Sequence, residues 1–361
     1  MKICIKRKIK PFLFFVFINV ILLVFGVFTH FFEEDFKKFH YPYEGNIEEF
    51  IYKLKQNETP EVLPINYYNF KFNIKPKNKC ENIKNLRLVF IIKSSPENVH
   101  NREAIRISWG FERRFSDVEI RRVFLLGLQG SNIVQNNINK EAKDYNDIVQ
   151  GNFTDSYYNN TLKTMLGFTW AIHSCSNSRF YMFVDDDYYV STKNVLRFIK
   201  YPTQYPTYLK NPTKNFNKAL HQRRINQLDL DLNENVRLYT GYAFESSPLR
   251  HYTSKWYVSL EEYPYNKWPP YVTAGAYVLS REALMDMYYA SFYTKHFRFD
   301  DIYVALLAFK AKIEPFHCEE FCFHKKTYYR KNYEFVVASH GYSDSKEMVT
   351  VWTDQKSLGF A

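Results

Sequence analysis

Three consecutive carboxylates, Asp185, Asp186 and Asp187, follow the aromatic run at residues 180–184. Neighbouring carboxylates repel one another, and moving each of them out of water is costly unless a cation compensates its charge. Residues 180–184 have the length and composition of a buried β-strand, so the three acids stand where that strand is predicted to end. The cluster is either part of a ligand site that supplies positive charge or a solvated acidic loop.

A second acidic pair, Asp300 and Asp301, occurs in the segment FRFDDIYVALLAFKAKIEP. The apolar residues after the pair predict a helix that begins at these acids. Carboxylates suit the first turn of a helix because they interact favourably with its dipole and its free N–H groups, so Asp300 is a candidate N-cap. Capping does not account for the second acid that follows directly.

Strand-like and helix-like segments alternate along the chain around these acids. LRLVFIIKSS, RRVFLLG and RFYMFV have the pattern of strands, whereas NREAIRISWGFERR, NKEAKDYNDIVQ and NNTLKTMLGFTWAIHSC have the pattern of helices. This alternation predicts the α/β class, with parallel βαβ units and a sheet covered on both faces. Ligands of such sheets bind beyond the carboxyl ends of the strands, where the three aspartates are predicted to lie.

The first 32 residues combine a basic segment with a long apolar one. Residues 1–10 contain five lysines and arginines, and no Lys, Arg, Asp or Glu lies between Lys10 and Glu33. An apolar stretch of about 20 residues suits a transmembrane helix better than a cleaved signal peptide or a core helix. The positive-inside rule places the basic end in the cytosol. We predict a cytosolic tail at 1–10, a signal-anchor helix at 11–32, a luminal stem at 33–84 and the main domain at 85–361.

The formal net charge of +11 is modest once the N-terminal segment is set aside, because that segment alone supplies five positive charges. The remaining excess is scattered and forms no basic stripe of the kind that nucleic-acid binding needs. We therefore predict no nucleic-acid partner. A small anionic ligand or a membrane surface accounts for the charge equally well.

The cysteines agree with a luminal main domain. Cys4 lies in the predicted cytosolic tail, which leaves Cys80, Cys175, Cys318 and Cys322 in an oxidising compartment. Four cysteines allow three pairings. We favour Cys80–Cys175, which ties the stem to the core, and Cys318–Cys322, which closes a small loop. A zinc site is the alternative, although Cys318 and Cys322 have no matching second pair.

Three Asn-x-Ser/Thr sequons point in the same direction. They open at Asn57, Asn152 and Asn159, and none has proline at the middle position. In the lumen each asparagine is a candidate for N-glycosylation. Sequons also occur by chance, so they support the predicted compartment without establishing it.

Seven ordered motifs make the chain similar to a known family. Together they resemble the β-1,3-glycosyltransferases of family 31, which transfer galactose or N-acetylglucosamine, and within that family the brainiac type, which extends glycolipids. The resemblance covers about residues 85–355 and makes 85–361 the catalytic domain. It implies a type II Golgi membrane enzyme with a GT-A fold, a Rossmann-like mixed sheet with helices on both faces, and an inverting mechanism. The motifs are REAIRISWG, DSYYNNTLKTMLGFTWAIHSC, FVDDDYYV, SKWYVSLEEYP, WPPYVTAGAYVLS, FDDIYVALLAFKA and ASHGYSDSKEMVTVW.

The resemblance also implies roles for the acidic cluster. A leaving diphosphate needs its charge neutralised, which a divalent cation such as Mn²⁺ or Mg²⁺ does when one or two carboxylates hold it. The family's DxD motif falls on the three aspartates, with Asp187 as the predicted metal ligand and Asp185 and Asp186 facing the UDP-sugar. His340 matches a family histidine and is the predicted second metal ligand; a packed or surface histidine is the alternative.

Inversion at the anomeric carbon requires a base that takes the proton of the acceptor hydroxyl. In the family, the second member of the acidic pair at the late helix supplies this base, and it matches Asp301. Asp300 is then predicted to contact the donor. The usual family form of this segment is Glu-Asp-Val, whereas this chain has Asp-Asp-Ile, which keeps both charges.

Other candidates have structural alternatives of similar weight. Arg102 and Arg106 are predicted either to reach the diphosphate or to hold the neighbouring loop through ion pairs with nearby acids. Trp268 and Tyr271 are predicted either to stack on the acceptor sugar or to pack in the core. Lys255 and Trp256 stay unassigned.

The predicted activity is transfer of GlcNAc or Gal from a UDP-sugar to the 3-hydroxyl of an acceptor sugar, on a glycolipid or a glycoprotein glycan at the Golgi membrane. The brainiac-like segments favour GlcNAc and a glycolipid. A catalytically silent luminal lectin or scaffold on the same fold is the alternative. It is disfavoured because a silent copy need not keep Asp187, Asp301 and His340 together.

Overall fold

The computed structural model describes residues 2–40, 46–210 and 232–361, with the side chains described from residue 11 onward. Contacts divide the chain into two units. The smaller unit combines Met1–Glu44 with Glu245–Pro270, and the larger unit combines Gly45–Phe244 with Tyr271–Ala361.

Helices occur in both units. In chain order they are α1 (Lys2–Val24), α2 (Ile47–Lys55), α3 (Val99–Ile107), α4 (Asn132–Tyr145), α5 (Asn160–Ser174), α6 (Thr192–Lys200), α7 (Thr207–Lys210), α8 (Arg281–Ser291), α9 (Asp300–Lys310) and α10 (Ser345–Ser357). Short 3-10 helices cover Thr29–Phe32, Phe36–Lys38, Tyr157–Asn159 and Pro202–Gln204.

The strands belong to the larger unit. They are β1 (Phe72–Ile74), β2 (Leu86–Lys93), β3 (Glu119–Leu128), β4 (Ile148–Thr154), β5 (Phe180–Asp185), β6 (Tyr189–Val190), β7 (Tyr239–Phe244), β8 (Tyr271–Ser280), β9 (Pro315–His317), β10 (Phe321–Cys322) and β11 (Ala338–Ser339). Eight of these form a mixed sheet in the order β1-β4-β3-β2-β5-β8-β7-β9, and β10-β11-β6 form a second sheet.

The predicted α/β architecture is confirmed. Strands β2, β3, β4 and β5 run parallel in the centre of the large sheet, whereas β8 pairs antiparallel with both β5 and β7. The parallel strands are joined by α3, α4 and α5, as the alternation in the sequence predicts. The carboxyl ends of β2 and β5 lie side by side, because Lys93 pairs in register with Asp185.

Both faces of the central strands are covered, which explains why their sequences are almost continuously apolar. Phe90, Phe124 and Met182 join one core cluster together with Trp109, which follows α3. On the other face α5 approaches very closely. A Cβ at Gly167 would lie 2.8 to 2.9 Å from side-chain atoms of three strand residues, so glycine is required for this contact.

Two elements within the predicted stem, β1 and α2, are part of the larger unit. β1 pairs antiparallel with β4 at the edge of the large sheet, and Lys55 of α2 forms ion pairs with Glu282 at 2.9 Å and Asp286 at 2.8 Å on α8. Both elements therefore belong to the larger unit, since their apolar and charged groups find partners there. Residues 41–45 of the predicted stem lie outside the described residues.

The smaller unit is organised around a buried arginine, Arg250. Its Nε donates to Oε1 of Glu33 at 2.8 Å, and its other nitrogens donate to main-chain oxygens, including that of Val258 at 2.9 Å. In the same unit α1 includes part of the segment predicted to span a membrane. Among the described residues, no helix is both long and apolar enough to cross a bilayer.

One of the two predicted disulfides is present. Cys80 and Cys175 are bonded, with their Cα atoms 5.1 Å apart. Cys318 and Cys322 are instead free buried thiols, so that prediction is wrong. The reason is that different sheets hold them: the N–H of Cys318 donates to Gly241 on β7, whereas Cys322 pairs with Ser339 on β11. Burial raises the pKa of Cys318 to about 12 and that of Cys322 to about 11.

Candidate active site

A buried lysine connects the two acidic clusters. Nζ of Lys93, at the end of β2, lies 3.0 Å from Oδ1 of Asp185 and 2.8 Å from Oδ2 of Asp300. It also donates to the main-chain oxygen of Ala274 at 3.0 Å. Burial alone would lower the pKa of Lys93, but the two carboxylates raise it above its ordinary value, so the ammonium stays charged. The predicted site residues Asp185 and Asp300 therefore meet across one cation.

Lys93 was not among the residues predicted from the sequence. It closes the strand segment LRLVFIIK, where a charged residue after seven mostly apolar positions is the signal that could have identified it. Charged residues are rarely buried without a partner, so a lysine at the carboxyl end of a buried strand predicts an acidic neighbour.

Asp185 and Asp186 occupy different environments. About 37% of the Asp185 side chain is exposed, so a ligand can reach it. Desolvation raises the pKa of Asp185 to about 6, although Lys93 opposes the shift. Asp186 is buried and accepts hydrogen bonds from Ser94 Oγ at 2.6 Å and from Asn98 Nδ2 at 3.0 Å. Asp186 thus stabilises the loop between β2 and α3, whereas Asp185 lies at the accessible edge of the site.

Asp187 and His340 meet although they are far apart in the sequence. Nε2 of His340 lies 3.0 Å from Oδ2 of Asp187, and both side chains are partly exposed. β6 pairs antiparallel with β11, with Tyr189 opposite Ser339, and this pairing brings Asp187, two residues before β6, close to His340, which directly follows β11. The hydrogen bond that the imidazole donates to Asp187 is the main cause that raises the pKa of His340.

The ring of Tyr188 supports the histidine. It lies 5.0 Å from the imidazole of His340, measured between ring centroids. The same tyrosine packs against Gly275 on β8, where a Cβ would come within 2.1 Å of its hydroxyl oxygen. Any larger residue at position 275 would displace Tyr188 and with it the imidazole.

The side chains of Asp187 and His340 fit a divalent cation that keeps most of its coordination sites for other ligands. Within the described residues, no cluster of three or more His, Cys, Asp or Glu side chains forms a closed metal site. Asp187 and His340 offer one carboxylate oxygen and one imidazole nitrogen at the same point. Mn²⁺ and Mg²⁺ bound to a nucleotide diphosphate need only one or two such protein ligands.

The two acids that begin α9 differ in their partners. Asp300 is bonded to Lys93 and accepts a hydrogen bond from Thr164 Oγ1 at 3.1 Å. Among the described side chains Asp301 has no ion-pair partner, and its Oδ1 accepts the N–H of Ile302 at 2.8 Å. Burial, helped by the charge of Asp300, raises the pKa of Asp301 to about 7. A carboxyl group with this pKa can accept a proton at neutral pH, and Asp301 is the better candidate base.

The structure supports the loop-holding alternative for Arg102 and Arg106. Arg102 is 1% exposed and donates to Glu141 at 2.7 Å and to Ser94 Oγ at 3.1 Å. Arg106 donates to Glu141 at 2.6 Å and to Asp147 at 2.8 Å. Because buried acids within the protein form ion pairs with both guanidinium groups, Arg102 reaches the site only through Ser94, which in turn binds Asp186.

Comparison with known proteins agrees with this arrangement. A family model described as "Galactosyltransferase" matches residues 100–218 and 213–319. The chain belongs to this galactosyltransferase family. The matched residues include the three aspartates and α9 and end before His340.

Three curated relatives show the range of this similarity. The chain is 41% identical over 347 residues to "Beta-1,3-galactosyltransferase brn" of Drosophila melanogaster, covering 93% of this chain and 92% of the relative. It is 31% identical to "Beta-1,3-galactosyltransferase 1" of Homo sapiens, with 81% of each chain covered. It is 28% identical to "UDP-GalNAc:beta-1,3-N-acetylgalactosaminyltransferase 1" of Sus scrofa, again with 81% of each covered. The chain is thus a hexosyltransferase of the brainiac-like type.

The protein also has an aromatic cluster that the sequence indicated only in part. Tyr271, a predicted acceptor residue, stacks on Phe244 with ring centroids 5.7 Å apart. Phe323 lies 4.9 Å from Phe244 and 4.6 Å from Tyr242, measured in the same way. We call these four residues the aromatic platform. It borders the metal-ligand candidates, because Phe323 follows Cys322, whose main-chain oxygen accepts the N–H of His340.

The other aromatic candidates lie in the smaller unit. Trp268 is 7% exposed, and its ring centroid lies 4.2 Å from that of Tyr263, so the structure supports the packing alternative for this residue. Trp256 is 48% exposed, with Nζ of Lys255 4.4 Å from the centroid of its ring. This contact is a cation–π interaction and assigns no catalytic role to either residue.

The sequon asparagines differ in their accessibility. Asn57 and Asn152 are exposed. Nδ2 of Asn159 donates to the main-chain oxygen of Thr154 at 2.8 Å, and Thr161 of the same sequon is fully buried. A glycan at Asn159 would replace one hydrogen of the Nδ2 that makes this bond, at a sequon whose Thr161 is inaccessible in the folded chain.

Proposed function

We propose that the protein is a UDP-sugar-dependent inverting β-1,3-glycosyltransferase that transfers Gal, GlcNAc or GalNAc to the 3-hydroxyl of an acceptor sugar. Membership of the galactosyltransferase family and the names of the relatives support the β-1,3 linkage. The observation that carries the proposal is the contrast at the start of α9, where Asp300 is paired with Lys93 and Asp301 has a pKa of about 7 and no ion-pair partner among the described side chains.

In the proposed reaction, Asp301 takes the proton of the acceptor hydroxyl while that oxygen attacks the anomeric carbon of the donor. The new bond forms on the face opposite the leaving group, the bond from the anomeric carbon to the diphosphate oxygen breaks, and UDP departs. The configuration at this carbon therefore inverts. In this proposal Asp301 alone accepts the proton. General-base catalysis of this kind contributes roughly 10²–10⁴-fold to the rate.

The remaining site residues bind and orient the reactants. Asp187 and His340 would hold a divalent cation, which neutralises charge on the diphosphate when it is bound. Asp185 is fixed by Lys93 at the accessible edge and would contact the donor's ribose or sugar. The aromatic platform offers ring faces on which an acceptor sugar can pack. The family implies a GT-A fold. On this fold the donor and the acceptor would meet between Asp187 and Asp301.

We also propose that the enzyme is a single-pass type II protein of the Golgi membrane that acts on a glycolipid or glycan in the lumen. The basic residues 1–10 ahead of a long apolar stretch support this topology. The Cys80–Cys175 disulfide supports an oxidising compartment for the larger unit.

Release of UDP from a panel of donors tests the activity. The full chain is incubated with UDP-Gal, UDP-GlcNAc or UDP-GalNAc, a lactose-type acceptor and Mn²⁺, with parallel reactions in EDTA. We expect acceptor-dependent UDP release with one donor, loss of release in EDTA, and a β-1,3 linkage in the product by NMR. Binding of glycans without UDP release from any donor would instead support the silent lectin or scaffold.

A further inference from the structure

A basic cleft of about 830 Å³ lies in the larger unit, away from the acidic site. Its walls include five cations and the rings of Phe111, Tyr145 and Trp352; the cations are Arg106, Arg113, Arg114, Arg122 and Lys356. The volume is within the usual range for binding sites of small organic ligands. We refer to the cleft that these residues line as the basic cleft.

The cleft and the acidic site lie toward opposite ends of α3. Asn98, which binds Asp186, immediately precedes α3, whereas Arg106 in its last turn lines the cleft. A nine-residue helix is about 13 Å long. The position of Arg122, another cleft residue, also separates the cleft from the acidic site. Arg122 lies on β3 and pairs with Phe90 of β2, three residues before Lys93. A ligand in the cleft would therefore leave the acidic site accessible.

The exposed cations of the cleft, Arg113 and Lys356, are not neutralised by nearby acids. Glu112 lies 2.8 Å from Lys79, Asp147 lies 2.8 Å from Arg106, and Asp354 lies 2.8 Å from Arg330, so these carboxylates already have cationic partners. Among the described side chains, no carboxylate pairs with Arg113, Arg114 or Lys356. Arg114 donates to the main-chain oxygen of Ala361 and packs 4.9 Å from the centroid of the Trp352 ring. Burial lowers the pKa of Arg114.

The same walls contain more hydrogen-bond donors than acceptors. Nη1 of Arg106, Nε of Arg114, Nε of Arg122 and Nε1 of Trp352 are buried donors without an acceptor. Arg106, Arg122 and Trp352 are each at least nine-tenths buried. Buried donors without acceptors cost free energy. Because these atoms have almost no accessible surface, they make the lining electropositive without contacting a ligand, and the exposed cations Arg113 and Lys356 are the groups that acceptor atoms of a ligand can reach.

The exposed rings restrict the ligand further. Phe111 and Tyr145 are each 47% exposed beside the cations. A ring with an apolar face and oxyanion substituents satisfies both features, because guanidinium groups bind carboxylate and sulfate oxygens in pairs and the aromatic side chains cover the ring face.

We propose that the basic cleft binds an acidic oligosaccharide, one that carries sulfate or carboxylate groups. Taken with the proposed function, the cleft would hold an anionic portion of a glycan while the acceptor end occupies the acidic site. The binding itself does not depend on that function, because none of its residues belongs to the acidic site.

Direct binding to the full chain tests this proposal. The probes are a heparin-derived tetrasaccharide for sulfate, a sialylated trisaccharide for carboxylate, a neutral tetrasaccharide, and a Glu-rich peptide of equal charge. The test variant combines Arg113→Glu with Lys356→Glu, both at exposed positions. The control combines Lys84→Glu with Lys140→Glu, which makes the same charge change at exposed positions outside the cleft lining.

We expect at least one acidic oligosaccharide to bind the wild-type chain, the test variant to bind it at least about tenfold more weakly, and the control variant to bind it like the wild type. UDP release with a small neutral acceptor should stay unchanged in the test variant. Equal binding of neutral and acidic oligosaccharides, or equal loss in both variants, would overturn the proposal. Tighter binding of the Glu-rich peptide with the same dependence on Arg113 and Lys356 would reassign the cleft to acidic proteins. Absence of UDP release beside intact oligosaccharide binding would count against the proposed function alone.

Discussion

The ammonium of Lys93 lies 2.8 Å from Oδ2 of Asp300, and this contact separates the roles of two adjacent acids. Asp300 forms this ion pair with Lys93 and accepts a hydrogen bond from Thr164, so its role is to hold neighbouring groups in position. Asp301, the next residue, has no such cation among the described side chains and can accept a proton at neutral pH. Adjacent carboxylates thus acquire different chemistry because only one faces a buried lysine.

Replacement of the proposed base should abolish transfer while sparing the donor site. Asp301→Asn keeps the shape of the side chain but removes its capacity to accept the proton, so we expect transfer to fall by about 10²–10⁴-fold. Calorimetric titration with UDP and Mn²⁺ should give an affinity close to that of the wild type. Full transfer by this variant, or a large loss of UDP affinity, would show that Asp301 is not the base.

Removal of either proposed metal ligand should have the opposite pattern. Asp187→Ala and His340→Ala each delete one member of the pair whose side chains meet at 3.0 Å. We expect Mn²⁺-dependent binding of UDP to weaken in both, with transfer falling in parallel. Asp354→Ala, a control within α10 that removes an ion pair with Arg330, should bind UDP normally. Unchanged Mn²⁺ dependence in both ligand variants would place the cation elsewhere.

The pH dependence of transfer should report on Asp301. Because burial raises its pKa from the ordinary value to about 7, the carboxyl group is protonated below that pH and ionised above it. A base acts only when it is ionised, so kcat/KM should increase through pH 7 and fall about tenfold per unit below it. Measurements between pH 5.5 and 8.5 in the wild type and in Asp301→Asn, whose residual rate should lack this step, decide whether the step belongs to Asp301.

Loss of Lys93 should destabilise the protein as well as inactivate it. Lys93→Met would leave Asp185 and Asp300 without their shared cation, and breaking a buried pair in this way costs about 3–5 kcal/mol. We expect the lower end of that range, because Asp185 is partly exposed and is screened by solvent. The free energy of unfolding is measured with urea, and Lys140→Met at an exposed position serves as the control, with an expected change within about 0.5 kcal/mol. Equal stability of the two variants would contradict the role assigned to Lys93.

Local patterns predicted the elements better than the contacts between them. The strand that precedes Asp185 and the helix that begins at Asp300 were evident because apolar runs and helix-start residues are local signals. The ion pairs of Lys93 were not predictable, because they depend on the register between β2 and β5 and on the placement of α9. The Cys318–Cys322 prediction failed for a related reason, since a short spacing does not show that two residues belong to different sheets.

The convergence of Asp187 and His340 came from the resemblance to a family, and the structure supplies its physical basis in the pairing of β6 with β11. Two strands of two residues each are too short to be identified from their sequence patterns. Three members of the aromatic platform escaped prediction for the same reason, because Tyr242, Phe244 and Phe323 become neighbours only when β7 and β10 approach each other.

Glycosylation should distinguish the three sequons and test the proposed luminal topology. Asn57 and Asn152 are exposed, whereas the amide of Asn159 is bonded to Thr154 and Thr161 is buried. When the full chain is expressed in a secretory pathway, we expect enzymatic deglycosylation to increase gel mobility by an amount that corresponds to two glycans. Asn57→Gln and Asn152→Gln should each remove one of them, and Asn159→Gln should leave the mobility unchanged. No mobility shift in the wild-type chain would argue against a luminal location. A mobility shift in Asn159→Gln would show that Asn159 is glycosylated before its hydrogen bond with Thr154 forms, or that this hydrogen bond does not form.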